Sequence, residues 1–520
     1  MRSGIIECMQ VHDQLARMDA QQLREFAANL IETVVSKDRE LQYKQLKIEQ
    51  LTHEMAVLKR WKFAARSEQL HGAQRSLLDE TIDADLEAIA AELATLRSPK
   101  RTLPAKDKPK RSPLPLHLPR IEVHHEPEQT VCSCGCAMKR IGEDVSEKLD
   151  YIPGVVQVER HIRGKWACAK CQTLIQAPVP AQVIDKGLPT AGLLAQVLVA
   201  KYSDHQPLYR QEGIFERAGV AIPRSTLAQW VGACGVRLQP LVDALRTVLL
   251  ERLVLHADET PVAMLKPGNG KTHRAYIWSY SSTQFDSMHA VVYDFAESRA
   301  AAHPRQFLEG WSGKLVCDDY AGYKGLFAAG VTEVGCLAHA RRKFHDLWIN
   351  HQSTTAEEAL KLFGGLYEVE RQARELSAEE RQRIRQLQSR PIADKFRQWL
   401  LLHRQKATDG TAIAKAIDYS LGRWEALTRF VDDGTLPIDN NWVENRIRPI
   451  ALGRSNWLFA GSLRAGKRAA AIMSLIQSAR LNGHDPYRYL KDVMERLPTQ
   501  RASRIDELLP HRWAPMTTPT

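Results

Sequence analysis

Leu253-Val254-Leu255-His256-Ala257-Asp258-Glu259-Thr260 and, further along, Lys314-Leu315-Val316-Cys317-Asp318 are the two stretches on which the reading of this chain turns. Each is a short apolar run that ends in a carboxylate, the pattern of a buried strand delivering an acidic side chain at its end. Two further strand patterns, Arg274 to Ser281 and Met288 to Phe295, and a helical one, Ser298 to Leu308, lie between them. After Asp318 come a helical Tyr320 to Ala329, a strand-like Val331 to Cys336 and a helix from about Ala338 to Trp348.

Three strands, a helix, a strand, a helix, a strand and a helix is the order of the ribonuclease-H-like α/β fold. Its first and fourth strands lie side by side, so Asp258 and Asp318 are expected to share a metal site although they are far apart in sequence. Hard oxygen ligands suit Mg²⁺, which keeps positions open for water and substrate phosphate. A third carboxylate is expected from a later helix, and Asp439-Asn440-Asn441-Trp442-Val443-Glu444 supplies it in Glu444. Asn441 to Glu444 also fits a capping box, in which Glu444 would only close a helix start. Arg446, Arg448 and Arg454 stand ready to neutralise DNA phosphates, although Arg448 is also placed for a helix ion pair with Glu444. The stretch between Trp348 and Thr435 is helical in pattern, rich in Glu, Arg, Gln and Leu, and too long for a loop, so it reads as an inserted helical domain.

Working back toward the N-terminus, Thr190 to Tyr202, Leu208 to Ala218 and Ser225 to Gly235 form three successive helical patterns, the third starting after Pro223. In a basic chain this suggests a helix-turn-helix with Arg224, Thr226 and Gln229 toward the groove-facing end; three-helix packing without DNA contact is the alternative. Cys132, Cys134 and Cys136 precede a strand-like hairpin that ends at Cys168-Ala-Lys-Cys171, the layout of a zinc ribbon. Four of these five thiolates would hold one structural Zn²⁺, and buried cysteines without metal are the alternative. The basic, proline-rich stretch from Pro99 to Pro119 reads as a linker. From Glu40 to Trp61, Leu41, Ile48 and Met55 share one heptad position and Leu51 and Leu58 another, which predicts a short coiled coil interrupted at Lys44 and Lys62. A surface helix packed within its own chain is the competing reading.

Composition sets the wider limits. A chain of 520 residues with 44% hydrophobic content is expected to form several soluble domains. Its net charge of +11 favours polyanionic partners through counterion release. Five of the nine cysteines lie between Cys132 and Cys171, which favours metal binding over a disulfide framework. The sequence offers no apolar stretch long enough for a membrane span and no signal-like start, so a cytoplasmic protein is expected.

Several strings together resemble the transposases of the insertion-sequence-66 family, of the group that uses two aspartates and a glutamate. They are Ala257-Asp258-Glu259-Thr260-Pro261, Asp318-Asp319-Tyr320-Ala321-Gly322-Tyr323, Cys336-Leu337-Ala338-His339-Ala340-Arg341-Arg342-Lys343-Phe344, and Asp439-Asn440-Asn441 through Glu444 to Leu452-Gly453-Arg454-Ser455-Asn456-Trp457-Leu458-Phe459-Ala460-Gly461. The resemblance extends from the early helix ending in Arg66-Ser67-Glu68 to Leu508-Leu509-Pro510. It implies that Asp258, Asp318 and Glu444 are the catalytic triad, that Asp318 rather than Asp319 is the second member, and that Cys336 and His339 match a Cys-x-x-His signature of related transposases. Arg341, Arg342 and Lys343 join the candidate DNA contacts. The expected activity is cleavage of element ends and strand transfer into target DNA with two Mg²⁺ ions per site. The expected partners are DNA, a second copy or more of the chain, and accessory proteins encoded by the same element. A decayed DNA-binding regulator and a ribonuclease-H-like nuclease are the rival functions. The expected organisation is multidomain α/β, divided as follows: a coiled-coil region at 1–98, a linker at 99–125, a zinc-binding segment at 126–178 and a helix-turn-helix-like unit at 179–245. The catalytic core occupies 246–348 and 435–482 around a helical insertion at 349–434, and a tail element covers 483–520.

Overall fold

The computed structural model describes residues 19–64, 72–96, 114, 116, 118–127, 130–131, 135–152, 154–185, 187–266 and 271–515. They fall into two compact units, Met1–Glu68 with Ile89–Lys108, and Gln69–Ala88 with Pro109–Thr520.

The first unit contains helix α1 (Ala20–Ala64) and the end of helix α2 (Gly72–Leu96). Helix α1 is far longer than the heptad pattern from Glu40 to Trp61 required. Leu51 and Leu58 are buried within the chain, whereas Leu23, Leu30, Val34 and Leu41 are exposed. Leu51 and Leu58, toward the C-terminal end of the expected seam, are thus packed within the chain, Ile48 and Met55 are partly buried, and Leu41 at its start is exposed.

The second unit begins its β structure with β1 (Arg120–His125), β2 (Lys139–Ile152), β3 (Val155–Ala167) and β4 (Leu174–Gln176), in the order β1-β3-β2 with β4 against β3. Strands β2 and β3 form a long antiparallel hairpin turning at Gly154, whose φ of +89° suits glycine. Three helices follow: α3 (Ala191–Tyr202), capped by the Thr190 hydroxyl; α4 (Leu208–Arg217); and α5 (Arg224–Leu249). Helix α5 passes the expected end at Gly235 because apolar spacing continues, with Leu238, Leu241, Val242, Leu245 and Leu249 all buried.

The central sheet comprises β5 (Val254–Leu265), β6 (Thr272–Ser282), β7 (Val291–Ala296), β8 (Lys314–Cys317) and β9 (Thr332–Gly335), in the order β7-β6-β5-β8-β9. Pairing is antiparallel from β5 to β7 and parallel from β5 to β9. Strand β5 continues well beyond Leu255, because Thr260, Val262 and Met264 keep one face buried in strict alternation. Asp258 consequently lies inside a strand, opposite Ser279, and just past the point where parallel pairing with β8 stops at His256 and Val316. Helix α6 (Ala302–Phe307) links β7 to β8, α7 (Lys324–Ala328) links β8 to β9, and α8 (Leu337–His351) follows β9.

Helices α9 (Thr354–Ala373), α10 (Ala378–Ile384), α11 (Arg390–Lys406), α12 (Ala412–Gly422) and α13 (Trp424–Thr428) then fill the stretch read as an insertion. Their buried side chains, among them Phe363, Phe396 and Ile417, share one core with Val316 and Val334 of the sheet. The helical stretch is thus packed onto the parallel half of the sheet. Helix α14 (Asn441–Trp457) returns to β5 and β6, and α15 (Leu463–Leu481) covers β7. Backbone N–H groups of Tyr293 and Val291 donate to the hydroxyls of Ser474 (2.8 Å) and Ser478 (3.0 Å), which satisfies the edge of the sheet. Helix α16 (Pro486–Arg496) packs against α3. Among the described residues, no helix is long and apolar enough to cross a membrane.

Candidate active site

Asp258 projects from β5 into a largely buried position, with one carboxylate oxygen accepting the Glu259 backbone N–H at 2.8 Å. Burial pushes its carboxyl well above the usual carboxylate range, and the negative charges of Glu259, Glu444 and Asp318 push it in the same direction. Asp318 follows β8 and accepts the Tyr320 N–H at 2.9 Å, which holds its side chain at the strand end. Glu444 lies in the first turn of α14. Its two oxygens stand 3.8 Å from His339 Nδ1 and 3.6 Å from Arg342 Nη2, both on α8.

Two acidic neighbours are committed elsewhere. The Glu259 side chain is almost fully buried, ion-paired to Arg299 and bonded to the Tyr323 hydroxyl at 3.2 Å. Asp319 faces Arg423 at 3.6 Å, and the same guanidinium also pairs with Glu333 and donates to the carbonyl of Asp318 at 3.2 Å. Glu259 and Asp319 thus each face an arginine, as Glu444 faces Arg342, while the charges acting on Asp258 are those of Glu259, Glu444 and Asp318. The capping-box arrangement from Asn441 to Glu444 is not formed: the Asn441 backbone and side-chain N–H groups both donate to Asp439. Nor does Glu444 pair with Arg448, because its cationic neighbours come from α8.

Cys336, His339 and Glu444 bring one ligand atom each to within 4.8 Å of one another. The Cys336 thiol is buried, and burial pushes it up to about 12. His339 Nδ1 and Glu444 Oε1 are both shielded from solvent without a hydrogen-bond partner. Crowded like charges around Asp258 and an unpartnered Glu444 oxygen fit a divalent cation, since carboxylates at such a site require a positive counter-charge.

Beside Asp318 opens a cleft of about 440 Å³ lined by Arg299, Tyr320, His339, Arg342 and Lys343. Arg341, Arg342 and Lys343 are exposed near the start of α8, with Lys343 4.4 Å over the Tyr419 ring. Arg446 is half-buried over the Trp442 ring at 4.2 Å, and Arg448 is exposed. Arg454 donates to the Pro261 carbonyl at 2.6 Å, so part of its donor capacity fastens α14 to β5. Arg224, Thr226 and Gln229 occupy the first turns of α5, where Gln229 is exposed and the other two are half-buried. Sequence reasoning missed Arg299 and Arg423, for which spacing carries no signal. It also missed His256 and Asn440, which stand inside the quoted strings.

In the cysteine segment, pairing of Lys139 with Ala167 brings Cys136 and Cys168 to the same end of the hairpin, where they pack with Met138, Trp166 and Ile175. Cys171 is exposed, with its sulfur 3.1 Å from the Thr173 hydroxyl. Cys132 and Cys134 lie outside the described residues.

Comparison with known proteins finds family matches along most of the chain. The profile described as "Transposase IS66 family" matches residues 186–468, and that of the "IS66 C-terminal element" matches residues 474–511. The "zinc-finger binding domain of transposase IS66" matches residues 129–172, and "Transposase C of IS166 homeodomain" matches residues 50–123. Two similar proteins of Sinorhizobium fredii are both called uncharacterised. Protein y4jD is 38% identical over 77% of this chain and 81% of its own length, and y4qI is 38% identical over 90% of each. On the strength of the profile that covers its central sheet and helices, the chain belongs to the IS66 family of transposases.

Proposed function

We propose that this chain is a DNA transposase whose Asp258, Asp318 and Glu444 hold two Mg²⁺ ions and carry out phosphoryl transfer at element ends. The observation that carries the reading is the gathering of other acids around the buried Asp258. Burial and the charges of Glu259, Glu444 and Asp318 all act on Asp258, while Glu259, Asp319 and Glu444 each face an arginine. A ribonuclease-H-like core is supported by the strand order β7-β6-β5-β8-β9, with Asp258 on β5 and Asp318 just past the end of its parallel neighbour β8.

Bound divalent ions at such a site supply activation of a water or 3′-hydroxyl nucleophile and stabilisation of the leaving oxygen. Arg299, Arg342 and Lys343 line the cleft beside Asp318 and would receive the phosphates flanking the scissile bond. Because only the nucleophile differs, one site serves both hydrolysis at the end and joining to target DNA. The hairpin cysteines, four of Cys132, Cys134, Cys136, Cys168 and Cys171, would bind one structural Zn²⁺. Arg224, Thr226 and Gln229 on α5, with Arg341, Arg446, Arg448 and Arg454, are proposed DNA contacts.

The deciding experiment incubates purified protein with labelled element-end DNA and Mg²⁺. Strand-specific nicks that vanish with chelator and in Glu444→Gln are expected, and wild-type nicking by Glu444→Gln would remove that residue from the site. Two ends must enter the target together, so at least a dimer is proposed, with the exposed Leu23, Leu30, Val34 and Leu41 stripe of α1 contributing. Polar replacement of those four residues should lower the mass in light scattering; an unchanged mass would place dimerisation elsewhere.

A further inference from the structure

Asn440 precedes the helix that carries Glu444, at a position where asparagine commonly bonds a backbone N–H two or three residues on. Its side chain makes no such cap bond. It is fully buried and turned across to the neighbouring strand, where its Nδ2 donates to the Ala257 carbonyl at 2.9 Å. Its Oδ1 lies 2.7 Å from His256 Nδ1, and its backbone N–H donates to the Cys336 sulfur at 3.2 Å.

These contacts define one another. A backbone carbonyl only accepts, so the Ala257 contact fixes which end of the amide carries nitrogen, and the oxygen must face His256. His256 Nδ1 must then carry the hydrogen. The ring is fully buried, and its Nε2 has no hydrogen-bond partner, so its one polar contact is spent on Asn440. The adjoining backbone reinforces the junction: Leu337 N–H donates to the Ile438 carbonyl at 3.1 Å, and the Asn440 carbonyl accepts from Val443 and Glu444, each at 3.2 Å. One residue therefore ties together the strand two positions before Asp258, the β9–α8 junction three positions before His339, and the first turn that bears Glu444.

We infer that Asn440, braced by His256, is a positioning residue that sets the spacing between the Asp258 strand and the Glu444 helix turn. The inference rests on the proposal that these two carboxylates hold divalent cations. Two-metal chemistry requires ions about 3.5 to 4 Å apart, and a misplacement on the order of 1 Å costs roughly a hundredfold in rate. A lost helix cap would only destabilise α14, whereas loss of this junction would change cation affinity.

The test measures Mn²⁺ binding to the full chain by the loss of the free-ion EPR signal, alongside nicking of labelled DNA. Asn440→Ala and His256→Leu should each weaken Mn²⁺ binding by about tenfold or more and slow nicking by roughly a hundredfold, with partial recovery at high metal concentration. His256→Asn retains an N–H donor near the Nδ1 position and should recover most of the loss seen in His256→Leu. Ser474→Ala, which removes a buried hydroxyl bonded to Tyr293, serves as a stability control and should lower the melting temperature with unchanged Mn²⁺ affinity. If Asn440→Ala proves insoluble, the two His256 variants carry the comparison. Wild-type Mn²⁺ affinity in folded Asn440→Ala or His256→Leu would overturn the inference. If the wild-type chain has no Mn²⁺ site that Glu444→Gln removes, the proposed metal centre itself fails and the inference falls with it, a result visible before any Asn440 variant is made.

Discussion

Asp258 and Cys168 stand in two β structures that bury them in very different company. Asp258 projects from a sheet backed by a continuous core that includes Leu255, Ala257, Ile277, Trp278 and Phe295. Cys168 shares its buried cluster with Met138, flanked by the partly buried Cys136, Trp166 and Ile175. In the first region a large core tolerates an unfavourable gathering of acids. In the second, Leu149, Val156 and Val158 join the large core at the far end of the hairpin, but at the cysteine end so little apolar surface is buried that the thiols are expected to hold that end together once bound to a metal. The proposed catalytic acids of the sheet would therefore work against stability, and the proposed zinc of the hairpin would work for it.

The largest effect should come from the acids. Asp258→Asn, Asp318→Asn and Glu444→Gln should each reduce nicking by about a thousandfold or more, because each removes charge at the proposed cations. DNA affinity, read by filter binding, should change by less than about threefold, since phosphate contacts belong to the basic side chains. Asp319→Asn should lose no more than roughly tenfold, because its partner Arg423 also holds Glu333. Inactivity of Asp319→Asn with an active Asp318→Asn would reverse the assignment.

The next effect is expected in the hairpin. Protein purified without chelator should contain one zinc per chain, and Cys168→Ser should lose it. Hydrogen exchange after zinc removal should rise at the cysteine end of β2 and β3, around Lys139 and Ala167, while β5, β6 and β8 keep their protection. Uniform loss of protection in both sheets would show that the hairpin and the central sheet unfold as one, and absence of zinc would remove the proposed site.

What was legible in the sequence follows the same division. The placement of Asp258 on β5 and of Asp318 just past β8 is legible because apolar runs ending in carboxylates are local signals, and the meeting of Cys136 and Cys168 at one end of a hairpin because the strand alternation between them is local. The apolar run alone predicts a β5 that is too short, since His256, Asp258 and Glu259 break it while Thr260, Val262 and Met264 continue the buried face. Helix α5 was likewise cut off at Gly235, although Leu238 to Leu249 extend the buried stripe. The bond from Asn440 to His256 joins residues 184 positions apart, and Arg423 meets Glu333 across 90. Such pairings are set by tertiary packing and leave no periodicity to detect. The helices between α8 and α14 were expected from their pattern, but their shared core with Val316 and Val334 depends on how the chain returns to the sheet.

The smallest effect gives the sharpest contrast between the two regions, because it should have the opposite sign in each. Burial and neighbouring charge raise the Asp258 carboxyl well above its ordinary range. Below the unfolded value of about 3.9, both folded and unfolded chains are protonated there, and the group has no effect on stability. As pH rises, the unfolded chain releases its proton first while the folded chain resists, so stability falls until the folded carboxyl also ionises. Asparagine has no proton to lose, and Asp258→Asn without divalent cation should therefore melt about 1 to 3 °C above wild type at neutral pH. The gap should close toward pH 4, and Mg²⁺ should raise the wild-type melting temperature more than that of the variant. Cys168→Ser, by contrast, should melt below the zinc-loaded wild type. Equal melting of Asp258→Asn and wild type at pH 7, or a gap that widens toward acid, would mean that the acids around Asp258 do not strain the fold.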